Sequence, residues 1–206
     1  MARRGDELRE HILWAAKDVF LEMGFERASM DEVAARAKTS KRSLYAHFAS
    51  KETLYVAVID LVRGLFLARL KMPGDYAEQP GEALTLFCGR YLDTLLYEAQ
   101  IQMCRVSMAE TARFPEGAAQ HFDVMFTEAQ ARIAAYLKSA LGLPARTCAE
   151  AAQKLIAQLL YPRLLRALFG LDELAKTLDR DGATPAVDLK PIRKAVAEVL
   201  EALRKK

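Results

Sequence analysis

The sequence has few residues of the kinds that build disulfides or metal sites. Its three cysteines and three histidines are Cys88, Cys104, Cys148, His11, His47 and His121. The cysteines are odd in number, far apart and set in apolar helical surroundings, which indicates reduced thiols packed as small hydrophobic groups. No cysteine and histidine have the spacing of a zinc finger. We therefore expect no disulfide framework, no metal and no cofactor.

Long hydrophobic runs are also missing. No stretch approaches about eighteen uninterrupted apolar residues, so we expect no membrane span. No apolar segment follows the arginines at the start of the chain, which argues against a secretory signal. Together with the reduced thiols, these features predict a soluble, cytoplasmic protein.

Neither sign of charge dominates the composition. Thirty basic and 27 acidic residues give a formal net charge of +3, which is too small to indicate a partner. The distribution of the charges along the chain has to provide that information.

The sequence lacks the motifs that would indicate catalysis. It has no glycine-rich phosphate loop, no paired histidines and no nucleophile elbow. We therefore expect that the protein is not an enzyme. A helical enzyme or scaffold with an incidental helix-turn-helix is kept as a remote alternative.

Helical periodicity dominates what is present, and no stretch alternates convincingly as a strand would. In the first predicted helix the apolar residues recur at spacings of three and four, at Leu8, Ile12, Ala16, Val19, Phe20 and Met23. Gly24 is well placed to end this helix in a left-handed conformation, with Phe25 folding back. The whole chain reads as an all-α protein of about nine or ten helices.

Proline and glycine divide the rest of the chain into further helices. A helix from about Thr147 to Phe169 contains Pro162, which should kink it. A short helix is predicted from Leu171 to Leu178, and a polar loop from Asp179 to Pro185. The last helix carries apolar residues at helical spacing from Leu189 onward.

Three serines mark the starts of short helices in the first quarter of the chain. Ser29 and Glu32 have the spacing of a capping box, in which each side chain bonds the other residue's backbone N–H. Ser40 and Ser50 are placed to cap the next two helices. Two short helices joined by a tight turn at Lys38-Thr39 predict a helix-turn-helix.

The second helix of this motif has a basic outer face. No acidic residue lies between Glu32 and Glu52, whereas this stretch contains Arg36, Lys38, Lys41, Arg42 and Lys51. A basic run on a helix is often only a solvated face. Here, however, the run accompanies a capped helix pair whose inward residues are Leu44 and Phe48, and this combination favours DNA binding.

The first residues of such a second helix reach base edges in the major groove. Lys41, Arg42 and Ser43 stand there, and guanine offers the N7 and O6 acceptors that arginine or lysine can bridge. Tyr45 and His47, farther along the helix, are better placed to contact phosphates.

Residues 29–54, SMDEVAARAKTSKRSLYAHFASKETL, resemble the DNA-binding segment of TetR-family transcriptional regulators. The likeness begins in the first helix and covers roughly the first quarter of the chain. Its most specific parts are Val33-Ala34, Ser43-Leu44-Tyr45, His47-Phe48 and Ser50-Lys51-Glu52. The resemblance implies a three-helix DNA-binding domain over residues 1–50 and a larger helical effector-binding and dimerisation domain over residues 51–206. It also implies a homodimer that binds a palindromic double-stranded operator.

Two groups of DNA contacts are implied by the same resemblance. One group holds phosphates and comprises Ser29, Tyr45, His47 and Lys51. The other contacts bases or groove walls and comprises Ser40, Lys41, Arg42 and Ser43.

The chain departs from the family pattern at two places. Lys38-Thr39 replaces the usual Gly-Val pair of the turn, so a lysine has to adopt the left-handed conformation. We include Lys38 as a further phosphate contact and Thr39 beside it in the predicted DNA-binding set. Ala46 stands where the family often has a second aromatic residue, so the operator sequence is not predicted.

The body of the chain gives weaker signals. Residues 105–110 (RVSMAE) and 113–116 (RFPE) resemble the C-terminal domain of the AefR-like subgroup. Aromatic, methionine and polar side chains predict an effector pocket for an apolar or amphipathic molecule, lined by Phe66, Phe87, Tyr91, Met103, Arg105, Met108, Phe122, Met125, Phe126, Gln158 and Tyr161. For any one of the apolar residues, a place in the core is the simpler explanation.

The family resemblance implies that the last long helices form the dimer surface. The apolar residues assigned to it are Leu155, Leu159, Leu164, Ile192, Val196, Val199 and Leu203. A core position in the monomer explains each nearly as well. The predicted function is a ligand-responsive repressor, and the alternatives are an activator or a regulator that senses another protein.

Overall fold

The computed structural model of the chain describes residues 2–179 and 184–205. These ranges are helical and contain no strand, which confirms the predicted all-α class. The helices are α1 (Ala2–Arg27), α2 (Met30–Arg36), α3 (Lys41–His47), α4 (Lys51–Ala68), α5 (Pro80–Leu95), α6 (Glu98–Ala109), α7 (Pro115–Phe122), α8 (Glu128–Leu141), α9 (Ala145–Leu160), α10 (Arg163–Leu168) and α11 (Leu189–Arg204). Among them, none combines the length and apolar character needed to cross a membrane.

The first compact unit comprises Met1–Leu65 and Gln102–His121. Its core is built from the apolar faces of α1 to α4, together with Met103 and Val106 of α6. The inward residues predicted for the two short helices are buried, which confirms the amphipathic pattern; they are Met30, Val33, Ala34, Ala37, Leu44 and Phe48.

Gly24 interrupts α1 as predicted. Its φ of 73° lies in the region that glycine adopts without a Cβ clash. The chain then continues for one further turn to Arg27, and the N–H of Ala28 donates to the carbonyl of Gly24 at 3.3 Å. Phe25 folds back into the core with 1% of its surface exposed.

The second compact unit comprises Phe66–Ile101 and Phe122–Lys206. Its core lies between α5, α8, α9 and α11, with a π-helical turn at Asp123–Thr127 leading into α8. The buried carboxylate of Asp93 accepts from the backbone N–H groups of Ala186 at 2.7 Å and Val187 at 3.1 Å. This contact fixes the segment that leads into α11 against α5.

Of two predictions about the last third of the chain, one was confirmed in part and one was wrong. The helix expected from Thr147 to Phe169 is interrupted at Pro162 as predicted, but it is divided into α9 and α10 instead of only being kinked, because proline removes a backbone donor. Residues 171–178 form no helix. Residues 180–183 of the predicted loop lie outside the described residues. The domain boundary at residue 50 stays a prediction; the division between the two compact units along the chain falls after Leu65, within α4.

Candidate nucleic-acid interface

Serine side chains start the short helices of the first compact unit. The Oγ of Ser29 accepts from the N–H of Glu32 at 3.1 Å, and the Oγ of Ser40 accepts from that of Ser43 at 3.1 Å. Ser50 accepts from the N–H of Thr53 at 3.2 Å and donates its own N–H to the Thr53 hydroxyl at 3.1 Å. The three predicted serine caps are therefore confirmed, and each satisfies a backbone donor that has no partner inside its helix. The return bond from the Ser29 N–H to the Glu32 side chain, which a capping box requires, is not formed, although both residues lie within the described ranges.

The turn between α2 and α3 places a lysine in the left-handed region, as predicted. Lys38 has a φ of 48°. Its N–H donates to the carbonyl of Ala35 at 3.1 Å, and the N–H of Thr39 donates to that of Ala34 at 3.0 Å. His11 of α1 bonds the carbonyl of Ala37 through Nε2 at 3.1 Å and so holds the start of the turn. The exposed Lys38 side chain extends from a fixed backbone.

Helix α3 is anchored from one side only. Leu44 and Phe48 are 0% and 4% exposed, and the guanidinium of Arg9 lies 5.1 Å from the centre of the Phe48 ring. On the outer side Arg42, Tyr45 and Ala46 are exposed, with half of the Tyr45 surface accessible, and His47 is partly buried. This arrangement presents a polar, basic helix surface on an apolar base.

Two of the cations near this surface already form ion pairs with acidic side chains. Lys41 pairs with Asp31 at 2.7 Å, and this hydrogen bond raises the pKa of the lysine. Arg36 binds both carboxylate oxygens of Glu22 at 2.8 Å, and these hydrogen bonds lower the pKa of that carboxyl. Such exposed pairs contribute little to stability, so Lys41 can exchange Asp31 for a DNA acceptor at small cost.

Lys38 and Arg42 differ from those two cations. Within the described ranges neither side chain forms an ion pair. Both are exposed, one on the turn and one in the first turn of α3. Lys38 and Arg42 can therefore bind a DNA phosphate or base without first breaking an ion pair with an acidic side chain.

Lys51 forms hydrogen bonds to backbone carbonyls that the sequence did not predict. Its ammonium group donates to the carbonyls of Phe25 at 2.8 Å, Glu26 at 3.2 Å and Ala28 at 3.0 Å. It also lies 4.3 Å from the centre of the Phe25 ring. Because an ammonium group has three protons, these carbonyls occupy all of them. The predicted phosphate contact of Lys51 stays a prediction, and the geometry favours a different role.

The residues predicted to line an effector pocket are divided between the two compact units. Met103, Arg105 and Met108 belong to the first, and the others belong to the second. In the second unit Phe66, Phe87, Tyr91 and Met125 are fully buried. The Tyr91 hydroxyl donates to the carbonyl of Met125 at 3.0 Å, and the rings of Phe66 and Tyr91 are 6.3 Å apart.

The other predicted pocket residues of the second unit lie nearer its surface. Phe126 is partly buried, Phe122 is 57% exposed and Tyr161 is 72% exposed. Gln158 is exposed on α9 and donates to Glu198 at 3.2 Å. Phe122, Gln158 and Tyr161 therefore do not line an interior pocket with the buried aromatic residues. Helical spacing predicted the buried positions of Phe66, Phe87, Tyr91 and Met125 but could not show which residues share one cavity.

Two cavities of the second unit are lined by residues that the sequence did not assign to a pocket. One, of about 440 Å³, lies at the ends of α5, α8 and α11 and has walls of Leu141, Leu143, Leu200 and Leu203 with Arg204. The other, of about 470 Å³, lies beside the buried Arg90 and Asp93. Their lining residues come from segments that are far apart in the sequence, so no local pattern could have indicated them.

The predicted dimer residues lie inside the monomer. Leu155, Leu159, Ile192, Val196, Val199 and Leu203 are buried in the core of the second unit, and Leu164 is partly buried against that core. Side chains that are covered within one chain cannot also form the surface that meets a second copy. The core explanation therefore holds for the six buried residues, and the assignment of Leu164 to the dimer surface stays a prediction.

The chain matches two known family models. Residues 12–58 match the model described as bacterial regulatory proteins of the tetR family. Residues 82–202 match the AefR-like transcriptional repressor, C-terminal domain. The resemblance found in the first quarter of the sequence thus extends, with a different model, over most of the body.

Two relatives match part of the chain. The HTH-type transcriptional activator FasR of Mycolicibacterium smegmatis is 52% identical over 54 residues, 26% of this chain and 25% of that protein. The HTH-type transcriptional repressor NicS of Pseudomonas putida is 34% identical over 84 residues, 40% of this chain and 39% of that protein. The chain thus spans well under half the length of either relative.

Solved structures match the chain over nearly its full length. The Flavonoid-responsive Regulator FrrA has a TM-score of 0.70 and 27% sequence identity, with 97% of this chain and 96% of that chain covered. A TetR family transcriptional regulator from Pseudomonas syringae has a TM-score of 0.64 and 24% identity, with 94% and 95% covered, and shows the same fold.

Proposed function

Because the chain belongs to the TetR family of transcriptional regulators, we propose that it binds a palindromic operator in the cytoplasm as a homodimer and represses transcription until a small molecule releases it. One observation carries the DNA-binding part of this proposal. The outer face of α3 is exposed and basic, while its inner face is held by the buried Leu44 and Phe48.

Base recognition is assigned to the first turn of α3. Arg42 is exposed there without an acidic partner among the described residues, and its planar guanidinium can bridge the N7 and O6 of guanine. Lys41 and Ser43 flank it. Ser40 is placed at the cap, where its hydroxyl lies 2.9 Å from that of Ser43, so the pair can rotate to donate toward a base edge.

Phosphate contacts are assigned to the rim of this surface. The Ser29 hydroxyl accepts from Glu32 but keeps its own proton, which it can donate to a phosphate oxygen. Lys38 and Thr39 of the turn, with Tyr45 and His47 of α3, supply the other contacts. Phosphate contacts fix the register of the protein on DNA and carry no sequence information directly.

The choice of repression over activation rests on the body of the chain. The family model that matches residues 82–202 describes repressors, and NicS is a repressor. FasR, which matches over only 54 residues, is an activator. DNA-binding segments are common to both modes, so the longer match carries more weight. An activator or a protein-sensing regulator of the same fold is the alternative.

The effector is proposed to be apolar or amphipathic. FrrA, which matches over nearly the whole chain, is described as flavonoid-responsive. The leucine-lined cavity of about 440 Å³ falls within the size range of small-molecule pockets and carries one cation, Arg204. It is already open, whereas an effector among Phe66, Phe87 and Tyr91 would have to displace packed side chains.

The dimer surface is proposed to be the exposed apolar face at the end of α9 and on α10. Its members are Tyr161, Leu165, Phe169 and Leu171, which are between 47% and 79% exposed. Clustered, large exposed apolar side chains mark interaction sites. The polar outer faces of α9 and α11 would border this patch.

Selection of bound DNA from a random pool tests the function. We expect recovery of a palindromic site whose half-sites are about one helical turn apart. Arg42→Ala should weaken binding to that site by about 1–3 kcal/mol and relax base preference at one position of each half-site. Arg146→Ala, an exposed arginine of α9 paired with Glu150, is the matched control and should bind as the wild type does.

Two results would contradict the proposal. One is recovery of no site by the wild-type protein. The other concerns Arg42 alone: equal losses on the selected site and on random DNA would assign it to phosphate contact instead of base reading. A ligand screen for release from the recovered site then tests the effector.

A further inference from the structure

The turn between α6 and α7, residues 110–114, lies in the same compact unit as the helix-turn-helix. The family model for the C-terminal domain nevertheless spans residues 82–202 and therefore includes this turn. The sequence boundary and the structural boundary differ here. Residues 110–114 are far from the helix-turn-helix in sequence, but they contact residues of the same compact unit.

Phe114 completes an aromatic cluster on α1 and α4. The centre of its ring is 5.1 Å from that of Phe25 and 4.8 Å from that of Tyr55. Tyr55 in turn lies 5.0 Å from Phe25 and 5.2 Å from Phe20. Phe25 and Tyr55 are almost fully buried, so Phe114 helps to enclose the residue that follows the Gly24 kink.

Arg113 adds a cation at the same place. Its guanidinium lies 4.9 Å from the centre of the Phe25 ring and forms ion pairs with Glu26 and with Glu110. The Lys51 ammonium lies 4.3 Å from that ring centre and bonds the carbonyls of residues 25, 26 and 28. Two cations from distant parts of the chain thus contact the same short segment, residues 25–28.

That segment directly precedes the helix-turn-helix. Ser29, the next residue, caps α2, and α2 leads through the Lys38 turn into α3. The path of residues 25–28 therefore decides where α2 begins and, through it, where the outer face of α3 is presented. A fixed presentation lowers the ordering cost of binding DNA.

We propose that Lys51, Arg113 and Phe114 are positioning residues for DNA binding, which hold residues 25–28 so that α3 is presented in its binding orientation. The inference rests on the proposed function. It replaces the phosphate contact expected of Lys51 with an indirect role, and it adds two residues that no local sequence pattern connects to DNA.

The salt dependence of binding separates the two roles of Lys51. Loss of a phosphate contact reduces the slope of log affinity against log salt by about 0.9. Loss of a positioning contact weakens binding at every salt concentration and leaves the slope as it was. Lys51→Met removes the charge, and Lys51→Arg restores a cation that can stack on Phe25.

The test uses the full chain and the operator recovered from the random pool. We expect Arg113→Gln and Phe114→Leu to weaken operator binding by about fivefold to tenfold, as the loss of one such contact predicts. The salt slope should stay at the wild-type value. Arg113→Lys, which keeps the charge, should restore most of the affinity, and Arg146→Gln is the matched control.

Hydrogen exchange supplies a readout that general loss of stability would not reproduce. In Lys51→Met, Arg113→Gln and Phe114→Leu, the amides of residues 25–30 should exchange faster, while those of α5 and α9 keep wild-type rates. The Arg113 side chain is about half exposed, so its replacement by glutamine should leave the core intact. The Arg113→Gln variant is therefore expected to fold.

Three outcomes would overturn the proposal. Wild-type affinity in Arg113→Gln and Phe114→Leu would remove both residues from positioning. A reduced salt slope in Lys51→Met, with unchanged exchange at residues 25–30, would return Lys51 to the phosphate set. Faster exchange throughout the chain would show a purely structural role. Failure of the wild type to select any DNA would instead contradict the proposed function itself.

Discussion

Lys38 shows how a single residue can serve a turn at some conformational cost. Its φ of 48° is unfavourable for a side chain with a Cβ, and glycine adopts it freely. Lys38→Gly should therefore stabilise the protein by about 0.5–1 kcal/mol, measured by urea unfolding. Lys38→Ala keeps the strain and should bring no gain.

Both Lys38 variants also lose the cation proposed to meet a phosphate. We therefore expect the same reduction of the salt slope in each, by about 0.9, although their stabilities differ. Unequal slopes would show that the backbone, and not the charge, governs the contact.

The buried His121 should make the stability of the protein depend on pH. The ring is 4% exposed, its Nε2 lies 3.6 Å from the Sγ of Cys104, and Nδ1 has no partner among the described residues. Burial, reinforced by the Arg63 guanidinium, lowers the pKa of His121 to about 4. The folded protein therefore keeps this ring neutral where the unfolded chain, with an ordinary pKa of about 6.5, binds a proton.

The unfolded state binds more protons between these two pKa values, so stability falls as the pH drops through that window. We expect His121 to account for a loss of about 2 kcal/mol between pH 7 and pH 5. Urea midpoints of the wild type and of His121→Gln at both pH values measure it. An equal loss in the variant would assign the acid sensitivity to other groups.

At the scale of helices, Gly89 decides how closely α11 can approach α5. A Cβ at this position would lie 2.7 Å from Leu189 and 2.8 Å from Pro185. Gly89→Ala should destabilise the protein by about 1–3 kcal/mol, because those side chains would have to move within a packed core. Gly64→Ala in α4 is the control: nothing lies within 4 Å of its Cβ, and the change should stabilise by about 0.5–1 kcal/mol.

Helices were predicted most reliably where their signals are local. Ser29, Ser40 and Ser50 cap helices in the structure as their spacing predicted, because a cap bonds a backbone group only three residues away. Residues 171–178 had acceptable helical periodicity but no such cap, and they form no helix. Pro162 was predicted to kink a longer helix, and in the structure it separates α9 from α10.

At the scale of the whole molecule, the proposed dimer face is testable through oligomeric state. Phe169 is 79% exposed and Leu165 is 47% exposed. Phe169→Glu combined with Leu165→Glu should give a monomeric mass in light scattering at micromolar concentration and weaken operator binding. Leu141→Glu, at a partly exposed leucine elsewhere in the same unit, should remain dimeric. A monomeric wild type would contradict the homodimer itself.

The sequence by itself determined the helical class, the family and the inner and outer faces of α3. Those features depend on residue types within one or two helical turns, which a periodic pattern records directly. Tertiary structure alone decided which apolar residues the chain covers with itself. The predicted dimer residues other than Leu164 are core residues, whereas Tyr161, Leu165, Phe169 and Leu171, in and around α10, are exposed.

Lys51 shows the same division within one side chain. Its position beside the helix-turn-helix was readable, but its ammonium bonds carbonyls more than twenty residues away and stacks on Phe25. Backbone carbonyls are present at every residue, so no sequence pattern indicates which of them a lysine will meet. Only the folding of α4 against the end of α1 brings these groups together.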